Sequence, residues 1–157
     1  MSARLSAQVL RDTGHDTGKV PVLPQAAALC YRINRGRSEV LLITTRRSGR
    51  WIIPKGWPIR GLSAAETAAQ EAWEEAGVIG QGGHVKLGEF GYLKRHTEYG
   101  PTFCVVEVFS LHVRSILRDF PEKGQRKYKW LSPKKAAQKI VNPDLALILR
   151  DFQAFRH

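Results

Sequence analysis

One short segment constrains the fold of this chain more than any other. Ser63 and Glu66 have the S-x-x-E spacing of a capping box, which begins a helix, and Gly77 is a natural C-terminal end. One side of this helix carries only small side chains, those of Ala65, Ala68, Ala69, Ala72 and Ala76. Because these side chains are short, the helix can lie close to a flat surface. The segment therefore predicts a helix packed on a β-sheet.

The strands of that sheet come from apolar runs bounded by turn signals. They are predicted at residues 25–33, 40–45, 51–54, 84–93, 102–113 and 126–131. Two further helices begin at Ser132-Pro133 and Asn142-Pro143, and the second of them is predicted to run to residue 155. The resulting order β-β-β-α-β-β-β-α-α predicts an α/β-type layered domain, in which a mixed β-sheet is sandwiched between helices.

The length of 157 residues fits a single domain with a core of its own. Residues 1–23 are polar and turn-rich, which predicts a poorly structured N-terminal arm before one domain at residues 24–157. Cys30 and Cys104 lie in apolar runs and are expected to be buried free thiols. No apolar run reaches the ~18 residues of a membrane span, and the N-terminus lacks a signal-peptide core, so we expect a cytoplasmic protein without membrane contacts.

The charge of the chain is strongly positive, with 25 Lys and Arg against 14 Asp and Glu and a net charge of +11. This excess favours an anionic partner such as nucleic acid or a phosphate-rich small molecule. Against this background Glu71, Glu74 and Glu75 share one side of the predicted helix, within an arc of roughly 100°. Like charges at this spacing destabilise a helix by about 0.2–0.5 kcal/mol per pair.

Two interpretations of this acidic cluster remain open on spacing alone. It can be a solvated acidic face, although lysines at i±4 that would offset the charge are missing. It can also bind a hard divalent cation, Mg²⁺ or Mn²⁺, which prefers oxygen ligands and takes substrate phosphates as further ligands. The second interpretation agrees with an anionic polyphosphate substrate.

Residues 56–78, GWPIRGLSAAETAAQEAWEEAGV, resemble the Nudix hydrolase signature G-x5-E-x7-R-E-U-x-E-E-x-G-U. The matching positions are Gly56, Glu71, Ala72, Glu74, Glu75, Gly77 and Val78. Leu62 and Gln70 stand where the signature has glutamate and arginine, and these departures concern the bracing of the loop against the helix. The flanking runs VLLITTRRSGRWIIPKG and RKYKWLSPKKAAQKI resemble the diphosphoinositol polyphosphate phosphohydrolase branch.

This resemblance implies an α+β-type Nudix fold and roles for the acidic residues. Glu71, Glu74 and Glu75 would provide the metal site, with the backbone carbonyl of Gly56 as a further ligand. Either Glu74 or Glu75 would orient or deprotonate the attacking water. Glu122 is a candidate for an additional carboxylate, although the interpretation as a solvated loop residue is favoured for it.

Phosphate binding is expected from cations near the signature, because guanidinium groups form forked hydrogen bonds to phosphate oxygens. The candidates are Arg46, Arg47, Arg50, Lys55 and Arg126. Lys94, Arg95 and His96 form a second basic turn. Among the tryptophans, only Trp57 is considered for substrate contact, because Trp51 and Trp130 lie in apolar strand runs.

The leading hypothesis is a metal-dependent pyrophosphohydrolase, with Mg²⁺ or Mn²⁺ as cofactor. The resemblance implies a highly phosphorylated small molecule as substrate, either a diphosphoinositol polyphosphate or a diadenosine polyphosphate. An RNA 5′-end pyrophosphohydrolase is an alternative, which the lack of a nucleic-acid motif disfavours. A non-catalytic, nucleotide-sensing domain is a second alternative, disfavoured because all three glutamates are present.

Overall fold

The computed structural model describes residues 20–81 and 84–154, and it has the predicted layered architecture. The strands are β1 (Val22–Asn34), β2 (Arg37–Thr44), β3 (Trp51–Ile52), β4 (Lys55–Gly56), β5 (Val78–Gln81), β6 (Lys86–Lys94), β7 (Thr102–Ile116) and β8 (Tyr128–Leu131). The helices are α1 (Ala64–Ala76), α2 (Pro133–Lys139) and α3 (Pro143–Arg150).

The eight strands of the described residues belong to one mixed sheet, and the sequence predicted a mixed sheet of six strands. Its main path is β3-β2-β1-β7-β5, with β4 beside β1, β6 beside β7 and β8 beside β2. The central pair β1 and β7 is parallel, whereas the other pairs are antiparallel. Helix α1 packs on one face, and α2 and α3 pack on the other. The predicted mixed sheet between helices is therefore confirmed.

Helix α1 begins and ends as its sequence predicts. The Ser63 hydroxyl accepts a hydrogen bond from the Glu66 amide at 3.1 Å, and the Glu66 carboxylate accepts one from the Ser63 amide at 2.8 Å. Gly77 ends the helix with φ +70°, in the left-handed region. Ala68, Ala72 and Ala76 are buried against β1, so the small side chains bring the helix onto the sheet.

The structure differs from the sequence prediction at several element boundaries. The short strands β4 and β5 were not predicted, because their pairing with β1 and β7 is tertiary and two to four residues carry little periodicity. Helix α3 ends at Arg150, since Phe152 turns into the core and its ring lies 5.0 Å from that of Tyr31. Strand β1 begins at Val22, inside the predicted arm, and residues 1–19 lie outside the described part of the chain.

Both cysteines are buried free thiols, as predicted. Cys30 lies beneath α1, and Cys104 lies in the core on the opposite face of the sheet. None of the helices in the described part of the chain has the length and apolar character needed to span a bilayer.

Thr67 on α1 is buried, and its hydroxyl has no hydrogen-bond partner among the described residues. We expect Thr67→Val to raise the free energy of unfolding by about 1 kcal/mol, because it removes the unsatisfied hydroxyl while keeping the shape. Thr102→Val is the matched control, since the buried Thr102 hydroxyl donates to the Gly100 carbonyl at 3.2 Å and its loss is expected to destabilise. Urea unfolding measures both. Destabilisation by Thr67→Val would contradict the expectation.

Candidate active site

A cavity of about 370 Å³ lies where strand β4 meets helix α1, and we call it the site cavity. Glu71 and Glu75 line it one helical turn apart, and each is only 5% exposed. Gly56 faces Glu71 so closely that a Cβ atom there would lie 2.8 Å from Glu71 Cγ and nearer still to its carboxylate. The glycine is therefore needed to bring the backbone of β4 against the two glutamates.

The two buried carboxylates create an unfavourable concentration of negative charge. Burial raises the pKa of Glu75 well above its usual range, and Glu71 and Glu122 raise it further, while Arg126 opposes the shift. The Glu75 carboxylate lies 3.8 Å from the Arg126 guanidinium. A cation bound between the glutamates would stabilise their charged form.

The oxygen atoms present fit a Mg²⁺ or Mn²⁺ ion. Glu71 and Glu75 offer buried carboxylate oxygens, and Gly56 brings its backbone to the same place. Within residues 20–81 and 84–154, no three His, Cys, Asp or Glu side chains form a metal-binding group. Mg²⁺ needs few protein ligands, because this ion keeps several waters and binds substrate phosphates.

Glu74 differs from the other two glutamates of the predicted cluster in its exposure. It is partly exposed and does not line the site cavity. Its backbone carbonyl accepts a hydrogen bond from the Glu122 amide at 2.9 Å. The helical spacing placed three carboxylates on one side of the helix. Only part of that side faces the cavity, and this part carries Glu71 and Glu75.

Arg126 holds the acidic residues in place. Its Nη2 donates to Glu122 Oε1 at 2.9 Å, and its Nη1 donates to the Thr44 carbonyl at 3.0 Å. The side chain is only 10% exposed, between Glu75 and Glu122. Glu122 also lines the site cavity, in contrast to the favoured interpretation of it as a solvated loop residue.

The predicted phosphate-binding cations divide between two places. Arg46, Arg47, Lys55 and Arg126 line the site cavity, together with Lys94 from the second basic turn. These five cations exceed the three carboxylates of the lining, so the cavity suits a polyanion. Arg50 does not line it and donates from Nε to the Ser48 hydroxyl at 3.3 Å. Trp57 lines the cavity, as suggested by the sequence.

Gln25 and Lys55 line the site cavity, and Tyr92 joins them in a hydrogen-bonded chain that the sequence did not reveal. Lys55 Nζ donates to the Tyr92 hydroxyl at 2.9 Å, and this hydroxyl donates to Gln25 Oε1 at 2.7 Å. Burial lowers the pKa of Lys55 to about 8, with a further contribution from Lys94 and partial opposition from Glu75. The polar Gln25 within the apolar first part of β1 was the signal in the sequence.

A second cavity of about 640 Å³ continues from the site cavity, and we call it the side groove. Its lining combines apolar and aromatic side chains with basic ones, among them Trp51, Tyr92, Leu93, Val141, Arg50 and Arg95. Lys55, Arg47 and Lys94 line both spaces, so the two are continuous. Trp51, which the sequence assigned to core packing, is half-buried and packs on the core while also lining the groove.

Solved structures share this fold at low sequence identity. An Ap4A hydrolase from C. elegans matches with a TM-score of 0.57 and 20% identity, covering 85% of this chain and 98% of that one. The NUDIX domain of Shewanella oneidensis NrtR, complexed with ADP ribose, matches with a TM-score of 0.62 and 17% identity, covering 92% and 96%.

Sequence comparisons identify the family. Diphosphoinositol polyphosphate phosphohydrolase 3-beta from Bos taurus is 33% identical over 110 residues, which are 68% of this chain. The chain spans 62% of the length of that relative. A family model described as the NUDIX domain matches residues 23–152, which include every residue that lines the site cavity. The chain therefore belongs to the NUDIX domain family.

Proposed function

We propose that this protein is a metal-dependent pyrophosphohydrolase that cleaves a phosphoanhydride bond in a polyphosphate small molecule. The observation that carries the proposal is the convergence of buried Glu71 and Glu75 with the Gly56 backbone in a cavity lined by five cations. Buried like charges are costly unless a cation compensates them. The names of the curated relatives, phosphohydrolases of diphosphoinositol polyphosphates, support the same chemistry.

Glu71, Glu75 and the Gly56 carbonyl would hold Mg²⁺ or Mn²⁺. When bound, the ion neutralises phosphate charge and lowers the pKa of a coordinated water. We assign the orientation of the attacking water to the Glu75 carboxylate, because Glu75 lines the cavity whereas Glu74 does not. Arg126, fixed by Glu122 and Thr44, limits the movement of this carboxylate.

The substrate phosphates would be bound mainly by Arg46, Arg47 and Lys55. The two arginines are exposed at the mouth of the cavity and can form forked hydrogen bonds to phosphate oxygens. Arg126 is less available, since its guanidinium already bonds to Glu122 and to the Thr44 carbonyl. The sequence predicted phosphate binding by Arg126, whereas we propose that this residue mainly orients Glu75.

The side groove favours a diadenosine polyphosphate over a diphosphoinositol polyphosphate. Trp51, Tyr92 and Val141 present apolar and aromatic surface next to the phosphate-binding cations. Such surface suits a flat base, whereas an inositol ring with phosphates on its carbons requires cations on every side. An RNA 5′ end also offers a base beside phosphates, and a nucleotide-sensing domain would bind without cleavage.

The test is product analysis with Mg²⁺ or Mn²⁺ and three substrates, namely diadenosine tetraphosphate, a diphosphoinositol polyphosphate and 5′-triphosphate RNA. We expect turnover of diadenosine tetraphosphate that EDTA abolishes. Trp51→Leu is expected to raise KM for this substrate about tenfold, since base–aromatic stacking contributes about 1–3 kcal/mol. Trp130→Leu, outside the groove, is the matched control. If all three substrates bind without metal and none is turned over, the proposed enzymatic function is wrong and the domain is a nucleotide sensor.

A further inference from the structure

The hydrogen bonds of Lys55, Tyr92 and Gln25 form a chain with a defined direction. A lysine ammonium only donates hydrogen bonds, so the Tyr92 oxygen must accept from Lys55 Nζ at 2.9 Å. The phenol proton is then directed at the acceptor on its other side, Gln25 Oε1, at 2.7 Å. Burial raises the pKa of Tyr92, so the phenol keeps that proton. The chain therefore runs in one direction, from Lys55 to Gln25.

This direction determines the orientation of the Gln25 amide. Because its oxygen faces Tyr92, its nitrogen carries two protons on the other side of the group. Gln25 is only 4% exposed and yet lines the site cavity beside Lys55. A buried amide nitrogen at the wall of a cation-rich cavity is a neutral hydrogen-bond donor for an anion.

The three residues stand on strands β6, β1 and β4 of the sheet, with β7 between β6 and β1. Tyr92 on β6 is opposite Cys104 on β7, and Gln25 on β1 is opposite Val106, which also lies on β7. Lys55 on β4 pairs with Ala27, two residues after Gln25. The Lys55 ammonium also lies 4.6 Å from the centre of the Tyr92 ring, where the π-system attracts a cation.

We propose that Tyr92 is a positioning residue that holds the Lys55 ammonium and the Gln25 amide toward one bound phosphate, and that Gln25 Nε2 donates to a phosphoryl oxygen. Without the Tyr92 hydroxyl, the flexible Lys55 side chain loses a fixed partner and the amide loses the bond that sets its orientation. The inference rests on the proposed polyphosphate substrate, since it concerns the same cavity.

The test is a double-mutant cycle on the binding of imidodiphosphate, whose P–N–P bridge resists hydrolysis. Isothermal titration calorimetry with Mg²⁺ present measures Kd for the wild type, Tyr92→Phe, Lys55→Met and the double variant. We expect Tyr92→Phe to raise Kd about tenfold in the wild-type background and by clearly less in the Lys55→Met background, where only its effect through Gln25 remains. Tyr31→Phe, which removes a hydroxyl outside the cavity, is the control and is expected to leave Kd unchanged.

Equal losses from Tyr92→Phe in both backgrounds would overturn the inference, since Tyr92 would then not act through Lys55. An unchanged Kd for Gln25→Met would show that the Gln25 amide does not donate a hydrogen bond to the phosphate. The proposed function fails in a different way, by the absence of turnover in wild type. Imidodiphosphate binding needs no turnover, so the two failures are distinguishable.

Discussion

Replacing Glu75 by glutamine is expected to lower kcat about 10³-fold, or about 4 kcal/mol of transition-state stabilisation. The amide keeps the size of the side chain but cannot orient water as a carboxylate does, and it is a weaker ligand for a hard cation. Glu75 is buried beside Glu71 in the site cavity.

The same change is expected to raise the free energy of unfolding of the metal-free protein by about 1 kcal/mol, because it removes one of two buried acidic groups. Burial raises the pKa of Glu75, so its charged form is disfavoured where no cation compensates it. Thermal unfolding in EDTA measures this gain. In wild type, added Mg²⁺ should raise Tm, and in Glu75→Gln this rise should be smaller.

The comparison with Glu74→Gln separates the two candidates for the water-orienting role. Glu74 does not line the cavity, so its replacement is expected to lower kcat by much less than that of Glu75. Glu89→Gln, on the exposed part of β6, is a control for loss of a carboxylate far from the site. A larger loss in Glu74→Gln than in Glu75→Gln would contradict the assignment.

Much of this fold could be predicted because local signals and tertiary packing agree. The capping box at Ser63 and Glu66 begins α1, Gly77 ends it, and the alanine face packs on β1 as its spacing requires. Strands with long apolar runs were found for the same reason. Strand β4 was missed because two residues have no periodicity, and their pairing opposite Ala26 and Ala27 depends on the folded sheet.

The site was only partly predictable. Spacing along a helix indicates which side chains share one side, but not how deeply each of them is buried. Glu71, Glu74 and Glu75 are neighbours on α1, yet only the contact with β4 decides which of them face the cavity. Arg126 was anticipated in the cavity, but its bond to the Thr44 carbonyl joins residues 82 positions apart. The pairing of Tyr92 with Gln25 spans 67 positions and follows no local pattern.

The second large effect is expected from Gly56→Ala, which should lower kcat/KM about 10²-fold and weaken Mg²⁺ binding about 10- to 100-fold. The new Cβ atom would lie 2.8 Å from Glu71 Cγ and closer to its carboxylate, so the Glu71 side chain must move. Because Glu71 is only 5% exposed, it has little space in which to do so. The φ angle of Gly56 is not in the left-handed region, so alanine adds crowding without backbone strain.

Gly91→Ala provides the matched control for this crowding. A Cβ atom there would lie 2.8 Å from Phe103 Cε2, but that ring is 39% exposed and can move into solvent. Calorimetric titration with Mg²⁺ and steady-state kinetics on both variants separate the effects. If Gly56→Ala keeps wild-type Mg²⁺ affinity, then Glu71 does not need its position against β4 to bind the ion. The close approach of β4 to α1 would in that case serve packing, and the metal site would have to be assigned to other oxygen atoms of the cavity.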